Sequence, residues 1–123
     1  MSEPISVVLV DDNEDIRAVL RYSLQYDSRF KIVGEAFDGR SAMRIIGTEK
    51  PDVVVLDLMM PTMDGFHAIP QIKFSSPDTK ILVYTAAEVE ETGLMYQGAN
   101  SIRQKGEMVN PYMVAEALAS LCE

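Results

Sequence analysis

Asp57 closes an uninterrupted aliphatic run, "VVVLD", and is followed by a turn-like stretch, "LMMPTMDG". A run of that kind reads as a strand buried on both faces, and a carboxylate at its tip gains nothing unless the tip opens onto something. Other polar residues stand at comparable places. Asp11 and Asp12 follow "ISVVLV", Thr85 closes "KILVYT", and Lys105 follows a weaker apolar stretch around residues 100–103. Taken singly, each has an ordinary explanation: aspartates cap helices, lysines sit in solvent and threonines suit strands. Their joint placement at successive strand ends is what carries weight.

Three carboxylates held together repel, so either their pKa values rise or a cation joins them. Hard oxygen donors with no nearby His or Cys favour Mg²⁺, which binds through a few carboxylates and keeps room for a substrate's oxygens. That arrangement suits phosphoryl chemistry. Asp57 can serve as the nucleophile, Lys105 as the point charge on one phosphoryl oxygen and Thr85 as a hydroxyl donor to another. The chemistry needs no histidine, and His67, the single one in the chain, reads as a solvent-facing helix residue. Of the eight methionines, most read as core filler; Met59 stands out because it flanks the proposed site.

The elements that must position these residues alternate along the whole chain. Strand candidates are "ISVVLV", "KIVGEA", "DVVVLD", "KILVYT" and a weak one near Asn100 to Arg103. Between them lie helical patterns: Ile16, Val19, Leu20 and Leu24; then Ala42, Met43, Ile45 and Ile46 behind an Asp38 cap; then the segment after Asp64. A last helix begins near Asn110-Pro111 and carries Tyr112, Ala115, Leu118 and Leu121. Strict alternation predicts an α/β domain with a parallel sheet covered on both faces by right-handed crossovers. In such sheets ligands bind beyond the carboxyl ends of the strands, where the order reverses. No linker, repeat or low-complexity tract interrupts residues 1–123, so one domain is expected.

Composition removes several classes. The formal net charge is −8, from 19 acidic and 11 basic residues, and the cations are spread along the chain, so direct nucleic-acid binding is not expected. The single cysteine, Cys122, excludes an internal disulfide and a Cys-based metal site, and fits a reducing cytoplasm. The first ten residues lack a basic region, and the apolar run from Val7 to Val10 is far too short to span a bilayer, so no membrane association is expected.

"VLVDDNEDIR", "DVVVLDLMMPTMDG", "ILVYTA" and "GANSIRQK" resemble, in order and spacing, the motifs of response-regulator receiver domains of two-component signalling. The resemblance covers essentially the whole chain, and "FKIVGEAFDG" with "SPDTKILVYTA" looks closest to receivers of the nitrate-regulator type that carry a helix-turn-helix output domain. It implies a flavodoxin-like (βα)5 fold with a five-stranded sheet of order 2-1-3-4-5. It further implies that a sensor histidine kinase or phosphotransfer protein donates a phosphoryl group to Asp57. Asp11, Asp12, Asp57 and the backbone carbonyl of Met59 would hold Mg²⁺, with Thr85 and Lys105 on the phosphoryl oxygens. The domain would catalyse only its own phosphorylation and slow dephosphorylation, and would signal through the face of the fourth helix, fifth strand and fifth helix to an output domain or downstream protein. That face also allows homodimers.

The sequence departs from the family pattern at named positions. Ile102 stands where an aromatic usually rotates, three residues before Lys105, and Gly106 replaces the proline that commonly follows the lysine. Pro70 falls inside the third helix and is expected to kink or shorten it; Gly93 weakens the fourth. Met59 and Ala87, beside the path of an attacking water, offer it no hydrogen bond and predict slow self-dephosphorylation. The departures motivate an alternative, a receiver-like module that binds its partner independently of phosphorylation. A phosphatase of the haloacid dehalogenase type needs a second aspartate two residues after its nucleophile, where Met59 stands. A flavin carrier needs a phosphate loop after the first strand, which here meets two carboxylates instead.

Overall fold

A computed structural model describes residues 3–60, 63–86, 93, 95, 97–105 and 111–123. Expectations that fall on Pro61, Ala87, Gly106 and Asn110, and most of the fourth helical segment, lie outside the described residues.

Strands β1 (Ile5–Val10), β2 (Phe30–Ala36), β3 (Val53–Leu56), β6 (Lys80–Thr85) and β7 (Ser101–Gln104) form one sheet of order β2-β1-β3-β6-β7. Every pairing in it is parallel. The remaining strands, β4 (Met59–Met60) and β5 (Met63–Asp64), make a two-residue antiparallel pair after β3. Set that pair aside and the order is 2-1-3-4-5, as the resemblance implies. The helices bounded within the described residues are α1 (Glu14–Gln25), α2 (Gly39–Glu49), α3 (Gly65–Ser75) and α4 (Pro111–Leu121).

The unbroken apolar runs follow from burial on two faces. Val8 and Val10 of β1 join a core with Ala42 and Ile46 of α2 and Ala68, Ile69 and Ile72 of α3. Val7 and Leu9 point the other way, into a core with Leu20 and Leu24 of α1 and Val114 and Leu118 of α4. Successive strand residues alternate faces, so a strand covered by helices on both sides must be apolar at every position.

Helix starts are set by side chains. Asn13 Oδ1 accepts from the N–H groups of Asp15 at 2.9 Å and Ile16 at 3.1 Å, and Asp38 Oδ1 accepts from Ser41 N–H at 2.8 Å, which caps α1 and α2. The β1–β2 register shifts between Val7 and Val8, and Gly34 sits opposite Val8. There the backbone runs so close to α2 that a Cβ on Gly34 would lie 2.5 Å from Ile45 Cγ2.

One sequence expectation needs amendment. Val19 and Tyr112 lie on the apolar stripes of α1 and α4 yet are 51% and 62% exposed, because a helix lying on a sheet buries a narrow stripe and its flanks stay open. Pro70 lies inside α3, which runs on past it to Ser75. Ala68, Ile69 and Ile72, all at 0% exposure, anchor the helix on both sides of the proline, so packing offsets the lost backbone hydrogen bond. Among the described residues no helix is long and apolar enough to cross a membrane.

Candidate functional site

The strand order reverses at β1 and β3, which are hydrogen-bonded neighbours from which the chain continues outward in opposite directions. Asp11 and Asp57 are the first residues past the carboxyl ends of these two strands. Asp57 N–H donates to the Val10 carbonyl at 2.9 Å, and Asp11 N–H to the Ala36 carbonyl at 3.1 Å, so the ladder extends one residue into the site and fixes both Cα positions.

One carboxylate oxygen from each of Asp11, Asp12 and Asp57 can be chosen so that all lie within 4.8 Å of one another. Asp11 and Asp57 are buried, at 3% and 5% exposure, whereas Asp12 faces solvent. Lys105 follows the far edge strand β7 and its N–H donates to the Thr85 carbonyl at 2.9 Å. From there its ammonium reaches Asp11 Oδ2 at 2.9 Å and Asp57 Oδ2 at 3.4 Å. Thr85 itself, the last residue of β6, is fully buried. Met59 N–H donates to Asp57 Oδ1 at 3.1 Å, while Met59 is 59% exposed. All six expected residues therefore come to one edge of the sheet, and His67 is exposed on α3.

Electrostatics follow from this crowding. Burial pushes the Asp57 carboxyl above its ordinary value and the neighbouring Asp11 charge adds to the rise, against the opposing Met59 N–H and Lys105 ammonium. Burial alone would lower the Lys105 pKa, but the hydrogen bond the ammonium donates to Asp11 and the charges of both carboxylates outweigh it and raise it. The lysine is thus a fixed positive charge, and the aspartates carry more negative charge than it can neutralise. A donor set of three hard oxygens with no thiolate or imidazole fits Mg²⁺ by type.

Two contacts were not anticipated from sequence. Asn13 N–H donates to Asp11 Oδ1 at 2.9 Å, and Arg17 Nη1 donates to the Asp11 carbonyl at 2.6 Å. The available signal was position: Asn13 caps the helix that follows the aspartate pair, and Arg17 lies one turn further along it.

An open parallel α/β sheet with its ligand crevice at the switch point, here lined by acidic residues and a lysine, defines a doubly wound domain of the flavodoxin-like class. The family profile of the response regulator receiver domain matches residues 7–106. This chain belongs to that family, the receiver domains of two-component response regulators. It is 39% identical over 87 residues to the uncharacterized transcriptional regulatory protein YhcZ of Bacillus subtilis (strain 168), covering 71% of this chain and 41% of that protein. It is 35% identical over 120 residues to the response regulator MprA of Mycolicibacterium vanbaalenii, covering 96% and 49%. The chain thus spans less than half the length of these curated relatives. Among solved structures, the signal receiver domain of NarL from Mycobacterium tuberculosis superposes with a TM-score of 0.88 at 27% identity, covering 98% of both chains. The response regulator domain of CheB from Thermotoga maritima gives 0.82, also at 27% identity, over 96% of this chain and 93% of that one.

Proposed function

We propose that residues 1–123 act as one phosphoacceptor domain in which Asp57 takes a phosphoryl group from the phosphohistidine of a sensor histidine kinase or phosphotransfer protein. The observation that carries this reading is the lysine bridge: Lys105, from the far edge of the sheet, contacts both Asp11 and Asp57. A structural cap would not call a third element across the sheet to meet two buried carboxylates.

Asp11, Asp12, Asp57 and the Met59 carbonyl are the groups that would hold Mg²⁺, which when bound supplies positive charge to the phosphoryl oxygens. The Asp57 carboxylate forms an O–P bond as the N–P bond of the donor breaks, and the departing imidazole keeps the electron pair and takes up a proton. Met59 N–H orients Asp57 by holding Oδ1. Lys105 leaves its tight contact with Asp11 to pair with a phosphoryl oxygen, and Thr85 donates its hydroxyl to another. The charged state would then be read by an output domain or a downstream protein.

The readout differs from a rotating aromatic. Ile102 is 7% exposed and packed in the core with Ile69 and Val83, so no ring swings inward at that position. This burial supports the second reading, a docking module indifferent to phosphorylation. Incubation with acetyl phosphate and Mg²⁺, followed by intact-mass measurement, tests the first reading: the wild-type chain gains one phosphoryl group and Asp57→Asn gains none. No gain in the wild type defeats it. A partner that binds the wild type and Asp57→Asn equally, with and without acetyl phosphate, favours the second.

A further inference from the structure

Every polar group of Asp11 has a partner. Its N–H goes to Ala36, Oδ1 accepts from Asn13 and Oδ2 from Lys105, and its carbonyl accepts from Arg17. The last of these oxygens belongs to the peptide unit that joins Asp11 to Asp12. That unit is planar, so holding its oxygen fixes the plane from which both aspartate side chains depart. Rotation of this plane would swing Asp12, the exposed member of the acidic set, away from the other two.

Arg17 is itself held in place. Its side chain is 11% exposed, and it pairs with Glu14 and, at 3.4 Å, with Glu35 Oε1. Glu35 is on β2, directly before the Ala36 whose carbonyl receives the Asp11 N–H. Arg21 pairs with the same Glu35, its Nη1 lying 2.8 and 2.9 Å from the two carboxylate oxygens, but has no hydrogen bond to the Asp11–Asp12 peptide. The two arginines therefore share an anchor, and only one of them touches the backbone of the site.

We propose that Arg17 is a positioning residue that orients the Asp11–Asp12 peptide, and through it both carboxylates, for a divalent cation. This rests on the reading that Asp11, Asp12 and Asp57 hold such a cation. Groups beyond the ligands that orient them are commonly worth 10–100-fold in metal affinity, and the effect expected here is at the lower end, about tenfold.

The test is a Mg²⁺ titration of the unphosphorylated chain, followed by the amide shifts of Asn13 and Met59, with thermal melting in the absence of metal measured on the same samples. Arg17→Ala is expected to weaken Mg²⁺ binding about tenfold, Arg17→Lys to recover part of the loss by supplying one donor to the carbonyl, and Arg21→Ala to stay within about twofold of wild type. Equal Mg²⁺ affinity in wild type, Arg17→Ala and Arg17→Lys overturns the proposal. So does an equal loss in Arg17→Ala and Arg21→Ala, which would assign the effect to the shared ion-pair network and its stability. Should Arg17→Ala fail to fold, Arg17→Lys decides alone: an affinity below wild type with an unchanged melting temperature supports the proposal, and unchanged affinity overturns it. A wild-type chain that binds no Mg²⁺ defeats the underlying reading instead, and that result is distinct from either outcome for Arg17.

Discussion

Asp57 is in an uncomfortable place before it receives anything. Its carboxyl is raised by burial and by Asp11, so the ionised form costs stability once the pH exceeds the ordinary aspartate value of about 3.9, and the cost is complete above the raised folded value. Asp57→Asn is therefore expected to raise the melting temperature of the metal-free domain at pH 7 by a few degrees, a gain that vanishes near pH 3. Calorimetry at the two pH values checks it, and a loss of stability at pH 7 would contradict the assignment. Met59 makes a kinetic statement at the same scale. Its side chain is exposed and a thioether is a poor hydrogen-bond partner for a water, so phosphorylated protein is expected to lose label slowly, and Met59→Glu to lose it several-fold faster. A filter assay on labelled protein would show the difference; equal half-lives would remove Met59 from the account.

Among the elements, β2 and α1 determine how well the site is built. Gly34 lets α2 lie against β2, and Gly34→Ala would push a methyl into Ile45, with an expected cost of about 1–3 kcal/mol in urea unfolding. Asn13→Ala removes the α1 cap and should cost about 1 kcal/mol in the same experiment. The run "ISVVLV" disclosed β1, and the spacing of Leu20 and Leu24 disclosed α1, because two-sided burial and helical periodicity leave a signature in one segment. The aspartates and the lysine were legible for a related reason: each ends a strand whose own pattern is clear. What was not legible depends on neighbours in space. Nothing local tells that Val19 stays exposed, that packing of Ile69 and Ile72 carries α3 through Pro70, or that Arg17 turns back to the Asp11 carbonyl.

For the molecule as a whole, the N-terminal side of the sheet is tied by Arg29, which pairs with Asp27 at 2.7 Å and with Glu116 of α4 at 2.7 Å. The hydrogen bond from Arg29 lowers the Asp27 carboxyl, and likewise that of Glu116. A carboxylate lowered in the folded state contributes stability that is present above its unfolded value, about 3.9 for Asp27, and is lost as the pH falls through the lower folded one. Arg29→Ala should therefore destabilise the domain at pH 6 and converge with wild type near pH 2, as read by denaturant unfolding at each pH. Parallel curves would assign no pH-linked role to this clamp.

The Lys105 ammonium also lies 5.8 Å from the centre of the Tyr84 ring, on the strand that ends in Thr85. The chain has no tryptophan to mask its phenols. In the mechanism proposed above the lysine moves toward a phosphoryl oxygen, and a positive charge would then move relative to the face of a nearly buried chromophore. On that reading an optical gauge of occupancy is expected, a near-ultraviolet difference band that Tyr84→Phe would erase.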